Sequence, residues 1–130
     1  GDSVPNTESY FTSVEKLNMQ EARDEVLMLY AQYKMPKNTK HNEHEDFISV
    51  ELAFMSFMAS KTAELLEKEE NADDYIQTQL DFHTKHFDRW IEKFVASFDR
   101  FPESAQLYGP IARMMLGFIA SDKAFLQEIA

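Results

Sequence analysis

The chain has 130 residues, a length that suits one domain around one core. Hydrophobic residues make up 44 % of it, too many for a disordered chain, and cysteine is absent, which excludes disulfides and cysteine metal sites. Thirteen basic residues against 23 acidic give a formal net charge of −10, which repels nucleic-acid phosphates and anionic lipid and favours basic partners.

Residues 1–17 form a lead-in rich in turn formers, with Tyr10, Phe11, Val14 and Leu17 as its anchors. A first helix is predicted from about Gln20 to Tyr33, where Val26, Leu27, Tyr30 and Tyr33 recur at helical spacing and Met35-Pro36 stops the run. Residues 37–46 hold no apolar side chain and read as an exposed loop, with Asp46 suited to cap the next helix. That second helix, Phe47 to about Lys68, carries two apolar rows covering more than half its girth. The pattern predicts a rod in the middle of a bundle, sheathed on several sides. Its densest apolar stretch, Leu52–Ala59, falls far short of the roughly 20 residues needed to cross a bilayer. Glu51 interrupts the apolar rows, and a buried carboxylate needs a partner.

A charged turn, Glu67–Asp74, precedes a third helix from Ala72 to Phe98, capped by Asn71 or Asp73 and bending near His86. Its stripe includes Ile76, Phe82, Phe87, Trp90, Ile91 and Phe94, with Asp88, Arg89, Glu92 and Lys93 on the wet face. Pro102 suits a first helical turn, Pro110 predicts a kink or fresh start, and Ala120-Ser121-Asp122 predicts a break before a final turn. No segment alternates as a strand does, so the fold class is all-α, a helical bundle.

Catalytic chemistry finds little footing. The only glycines are Gly1, Gly109 and Gly117, so phosphate-cradling loops and nucleophile elbows are absent. His83 and His86 stand three apart on one helix and could share a metal, but neither has the Glu-x-x-His spacing of a carboxylate-bridged bundle site, so packing is the expected role. The loop pair His41 and His44 is a weaker metal candidate still. Trp90 reads first as core and second as an interface anchor. The loop cluster Glu43-His44-Glu45-Asp46 is either solvated decoration or a receptor for a basic peptide.

The run Glu43-His44-Glu45-Asp46-Phe47-Ile48, followed by Glu51-Leu52-Ala53-Phe54-Met55, resembles the hinge and adjoining helix of the TorD/DmsD/NarJ family of molybdoenzyme maturation chaperones. The resemblance extends through Glu8-Ser9-Tyr10-Phe11, Gln79, Phe82, His86-Phe87 and Trp90 to Tyr108 and Phe118. In the hinge pattern Glu-Pro-x-Asp-His, Glu43 and Asp46 match, whereas His44 stands for the proline and Phe47 for the histidine. The resemblance implies the C-terminal part of a larger all-helical chaperone, cytoplasmic and non-enzymatic, with no cofactor. Its implied partners are a molybdenum-cofactor-dependent oxidoreductase subunit and that subunit's basic leader peptide.

The expected organisation is a lead-in and first helix over 1–40, a hinge-like loop over 41–46 and a bundle core over 47–130. An apolar second helix with too few neighbours further predicts a homo-oligomer in which residues 1–40 are swapped between copies. Glu43, Asp46, Glu51 and Trp90 are the candidate peptide-binding residues. Two other readings are a helical oligomerisation or interaction domain without leader-peptide binding, and a metal-dependent helical enzyme built on His83 and His86.

Overall fold

A computed structural model of the chain describes residues 6–8, 11, 21–36, 48–98 and 102–130, with backbone alone at 21, 22 and 102–108. The helices are α1 (Glu21–Gln32), α2 (Ile48–Glu67), α3 (Asp73–Phe82), α4 (Asp88–Ser97) and α5 (Pro102–Ile129). A π-helical turn, His83–Phe87, joins α3 to α4 with helical backbone on both sides, so Asp73–Ser97 is one rod. The fold is all-α.

Helix α1 turns Val26 and Tyr30 inward, one helical turn apart. Its end is set by backbone chemistry. Lys34 adopts φ 56°, its N–H bonds to Ala31 O, and the Met35 N–H reaches back to Tyr30 O at 2.9 Å. The same closure ends α2, with Glu69 at φ 55° and the Glu70 N–H on Leu65 O at 2.9 Å. Both are Schellman closures with a side chain where glycine is usual. The third helix starts between the two predicted caps: its N-cap is Ala72, with no side-chain cap bond, and Asn71 Oδ1 instead accepts the Asp73 N–H at 2.7 Å from the turn before it.

The rod Asp73–Ser97 lies at the centre. It buries Ile76, Gln79, Phe82, His83, His86, Phe87, Trp90, Ile91 and Phe94, and both α2 and α5 pack on it. Helix α1 docks on α2 through Tyr30 and Tyr33, whose rings lie 5.2 and 6.4 Å from that of Phe54. The Phe54 ring is 5.2 Å from Phe82, and Phe82 is 5.1 Å from Phe87. Fully burying such a ring contributes roughly 1.5–3 kcal/mol, so this aromatic seam carries much of the core energy.

Helix α2 has neighbours on several sides: α1 docks on Phe54, the rod packs along it, and Asn6 O accepts the Ile48 N–H. It buries Glu51, Phe54, Met55, Met58 and Thr62, and Ile48, Val50, Leu52, Phe57 and Leu65 pack half-buried against the core. Its solvent side carries Ser49, Ala53, Ser56, Ala59, Ser60 and Ala63, with Leu66 exposed near the C-terminal end. Two expectations are corrected here. Of the kink or fresh start expected at Pro110, the fresh start does not occur: Pro110 sits exposed inside α5, which begins at Pro102 as predicted and runs as one helix to Ile129. Ala120-Ser121-Asp122 likewise stays helical, because Asp122 is engaged by the rod and Ile119 and Leu126 on either side are buried.

Candidate peptide-binding site

Polar residues run along the buried side of the central rod, and each is tied to a segment outside it: two to α2, one to α5 and one to the N-terminal segment. The Gln79 amide donates to Thr62 Oγ1 of α2 at 2.8 Å, and that hydroxyl donates to Met58 O at 2.8 Å. His83 Nε2 lies 2.7 Å from Asp122 Oδ2 of α5. His86 Nδ1 lies 2.9 and 3.0 Å from the two carboxylate oxygens of Glu8, in the N-terminal segment. The Trp90 indole N–H donates to Glu51 Oε1 of α2 at 3.1 Å. The spacing 79, 83, 86, 90 places all four on one side of a helix. The π turn, where the Thr84 hydroxyl donates to Leu80 O at 3.2 Å, sits at the middle of this set. Such turns insert an extra residue and re-aim side chains, often where a protein functions.

Each tie makes a long-range contact that apolar packing alone would leave unspecific. Glu8, Glu51, Gln79, His83, His86 and Trp90 are all at most 2 % exposed. Buried polar groups must find partners, so displacing any one element strands a donor or acceptor in the core. The N-terminal segment is held a second way, by Phe11 stacking on Trp90 at 5.7 Å and by the Ile48 N–H on Asn6 O at 2.9 Å.

On the surface, Tyr33 joins α1 to α3, its hydroxyl donating to Asp74 Oδ2 at 2.8 Å and meeting Thr78 Oγ1 at 2.7 Å. Burial, aided by the Asp74 carboxylate, raises the Tyr33 pKa above its ordinary value. On α2, the exposed Glu64 sits between Lys68, at 3.3 Å, and Lys61, at 3.7 Å. These ammonium groups, Lys68 first, hold its carboxyl below the usual carboxylate range.

Of the four candidate peptide-binding residues, Glu51 and Trp90 are brought together, but in the interior, both fully buried. Glu43 and Asp46, with His41 and His44, lie outside the described residues. His83 and His86 face different carboxylates, Asp122 and Glu8, and among the described residues no three histidine or acidic side chains converge on a metal position. Glu8, quoted only for the family resemblance, and Asp122, read only as part of a break, were not identified from the sequence as partners of His86 and His83. The only signal was the demand of two helical histidines for buried partners, and it does not say where in the chain those partners lie.

A cleft of about 410 Å³ opens between α4 and α5. Phe87, Ile91, Leu116 and Ile119 line it, with His83 at one end and Glu92 at the other along the rod. Lys123 bridges to Asp88 across it at 2.6 Å. Further round α5, Ile111, Met114, Phe118 and Phe125 form an apolar stripe, each more than half exposed.

Architecture and site together describe an all-helical protein held by buried polar ties around a central rod. Among the described residues no helix is long and apolar enough to cross a membrane. The chain matches the family model described as nitrate reductase delta subunit over residues 1–96, and it belongs to that family. It is 32 % identical over 88 residues to the chaperone protein TorD of one Vibrio cholerae serotype O1 strain, covering 68 % of this chain and 39 % of the relative. To TorD of a second such strain it is 30 % identical over 129 residues, covering 98 % and 57 %. To TorD of Vibrio parahaemolyticus serotype O3:K6 it is 27 % identical over 124 residues, covering 95 % and 56 %. The chain thus spans about half the length of the curated relatives it matches. No solved structure matches it.

Proposed function

We propose that this chain is part of a molybdoenzyme maturation chaperone, a non-catalytic cytoplasmic protein that holds an immature oxidoreductase subunit through its basic leader peptide. The observation that carries this reading is the similarity to proteins named TorD chaperones along nearly the whole chain. The net charge of −10 supports a basic client segment, and the exposed stripe on α5 supports a client with apolar surface. In this reading Glu43 and Asp46 steer the peptide. Glu51 and Trp90 act as positioning residues, locking α2 to the central rod. Residues 41–46 act as a hinge, and the ties made by residues 1–40 can form within one copy or between two.

Calorimetric titration of the 130-residue chain with leader peptides tests this, with their arginines kept or replaced by glutamine. Affinity should fall with each arginine lost. Charge reversal at Glu43 and Asp46 should slow association, more at 0.01 M salt, where the screening length is about 30 Å, than at 0.1 M, where it is about 10 Å. Equal affinity for all peptides at both salt concentrations would refute the acidic capture. A purely structural or oligomerisation role would show no peptide binding at all.

A further inference from the structure

We propose that the cleft between α4 and α5 is a binding groove for about four residues of extended peptide. A hydrogen-bond donor of the peptide sits at the His83 end, apolar side chains in the middle and a basic side chain at the Glu92 end. This rests on the reading that the protein captures a basic client segment, and it assigns a place and a register that reading lacks.

His83 supplies the first observation. It is 1 % exposed and lines the cleft. Its Nε2 is committed to the Asp122 carboxylate, which can only accept, so in the neutral ring the proton sits on Nε2 and Nδ1 is left as an acceptor. That Nδ1 is buried and has no hydrogen-bond partner among the described residues. A buried acceptor left unmet costs stability, and a peptide N–H or O–H that reaches it, by parting the side chains that now cover it, would remove that cost.

The second observation is the opposite end. Glu92 is exposed, lines the cleft and makes no ion pair among the described residues, whereas its neighbour Asp88 is neutralised by Lys123. The rim there carries an unmatched negative charge. Between the two ends the walls are Phe87, Ile91, Leu116 and Ile119, which favour apolar side chains, and the partly exposed Lys123–Asp88 pair that bridges them, a weak tie, parts to admit the peptide.

Length decides the class of ligand. From position 83 to position 92 the rod rises about 13 Å at 1.5 Å per residue. One arginine or tryptophan side chain cannot span that and meet both ends. An extended backbone covers it in about four residues at ~3.3 Å each.

Nuclear magnetic resonance of the ¹⁵N-labelled 130-residue chain tests the groove, using acetylated and amidated Ser-Leu-Leu-Arg, its reversed order, and both with glutamate in place of arginine. At least one arginine peptide should shift the His83 ring nitrogens and the α4 and α5 amides of the cleft. Glutamate peptides should bind at least tenfold more weakly. Two surface variants keep the test independent of folding: Glu92→Lys removes the basic preference, and Ala124→Trp, at an exposed cleft position, fills the groove. Each should weaken the arginine peptide tenfold or more while α2 amides stay in place. Unmoved His83 nitrogens, or equal binding by both variants, would overturn the groove. If leader peptides still bind in that case, the chaperone reading survives without it. Groove binding by the tetrapeptides with no leader binding would uphold the groove and sink the leader reading.

Discussion

The bond between Trp90 and Glu51 is the tie whose energetics can be worked furthest. Both side chains are fully buried, and the indole N–H meets Oε1 at 3.1 Å. Trp90→Phe keeps an aromatic ring beside Phe11 and Phe94 but removes the donor. A hydrogen bond contributes roughly 0.5–3 kcal/mol, the upper end applying to a charged acceptor, and the vacated ring volume adds a cavity cost of about 1–2 kcal/mol. The single variant should therefore lose roughly 1.5–5 kcal/mol. Domain stabilities are about 5–15 kcal/mol, so that is a large share. Glu51→Leu removes a buried carboxylate, whose desolvation is itself costly, and leaves the indole N–H without this acceptor; the two effects oppose. In the double variant neither group is stranded, so the losses should not add. The expected coupling is about 0.5–3 kcal/mol. Urea unfolding followed by far-ultraviolet circular dichroism measures it, since Trp90 is the only tryptophan and its fluorescence vanishes in two of the variants. Losses that add to within about 0.5 kcal/mol would show that the bond ties nothing.

Two further outcomes are expected. Glu69 holds φ 55° at the end of α2, a left-handed conformation that costs a side-chain-bearing residue about 1–2 kcal/mol. Glu69→Gly should raise stability by about 0.5–1 kcal/mol after glycine's greater unfolded-state entropy is counted, read as a higher urea midpoint with an unchanged slope. Tyr33 has its pKa raised by burial and Asp74, so its stabilising contribution is complete below the ordinary tyrosine value of about 10. It is lost as pH climbs through the higher folded value, because the folded state then holds the proton the unfolded chain has released. Tyr33→Phe should lose less stability across that alkaline window than the parent, as measured by thermal melts at stepped pH.

Helix existence and most helix ends were legible because they depend on neighbours in sequence. The period of Val26, Tyr30 and Tyr33 marks α1, Asn71 marks the start of the rod to within one residue, and Pro102 marks the start of α5. The irregularity expected near His86 is a π turn over His83–Phe87. Where local signals and tertiary contacts competed, the contacts decided. Pro110 and Ala120-Ser121-Asp122 have breaker chemistry, yet α5 runs through both, anchored by Ala112, Ile119 and Leu126 in the core. Helix α2 has apolar residues around most of its girth, but only tertiary structure showed that serine and alanine take the solvent side.

The candidate site divides the same way. That Glu51 would need a partner is implied by a carboxylate among apolar rows. That the partner is Trp90, 39 residues on, and that Glu8 reaches His86 across 78, is not, because no periodicity links positions on separate elements. Composition and spacing thus determined an acidic, all-helical chain with polar groups in its apolar stripes. Which of those groups meet, and which acceptor is left unmet among the described residues, was decided by the packing of the rods, since hydrogen bonds are satisfied in space and not along the chain.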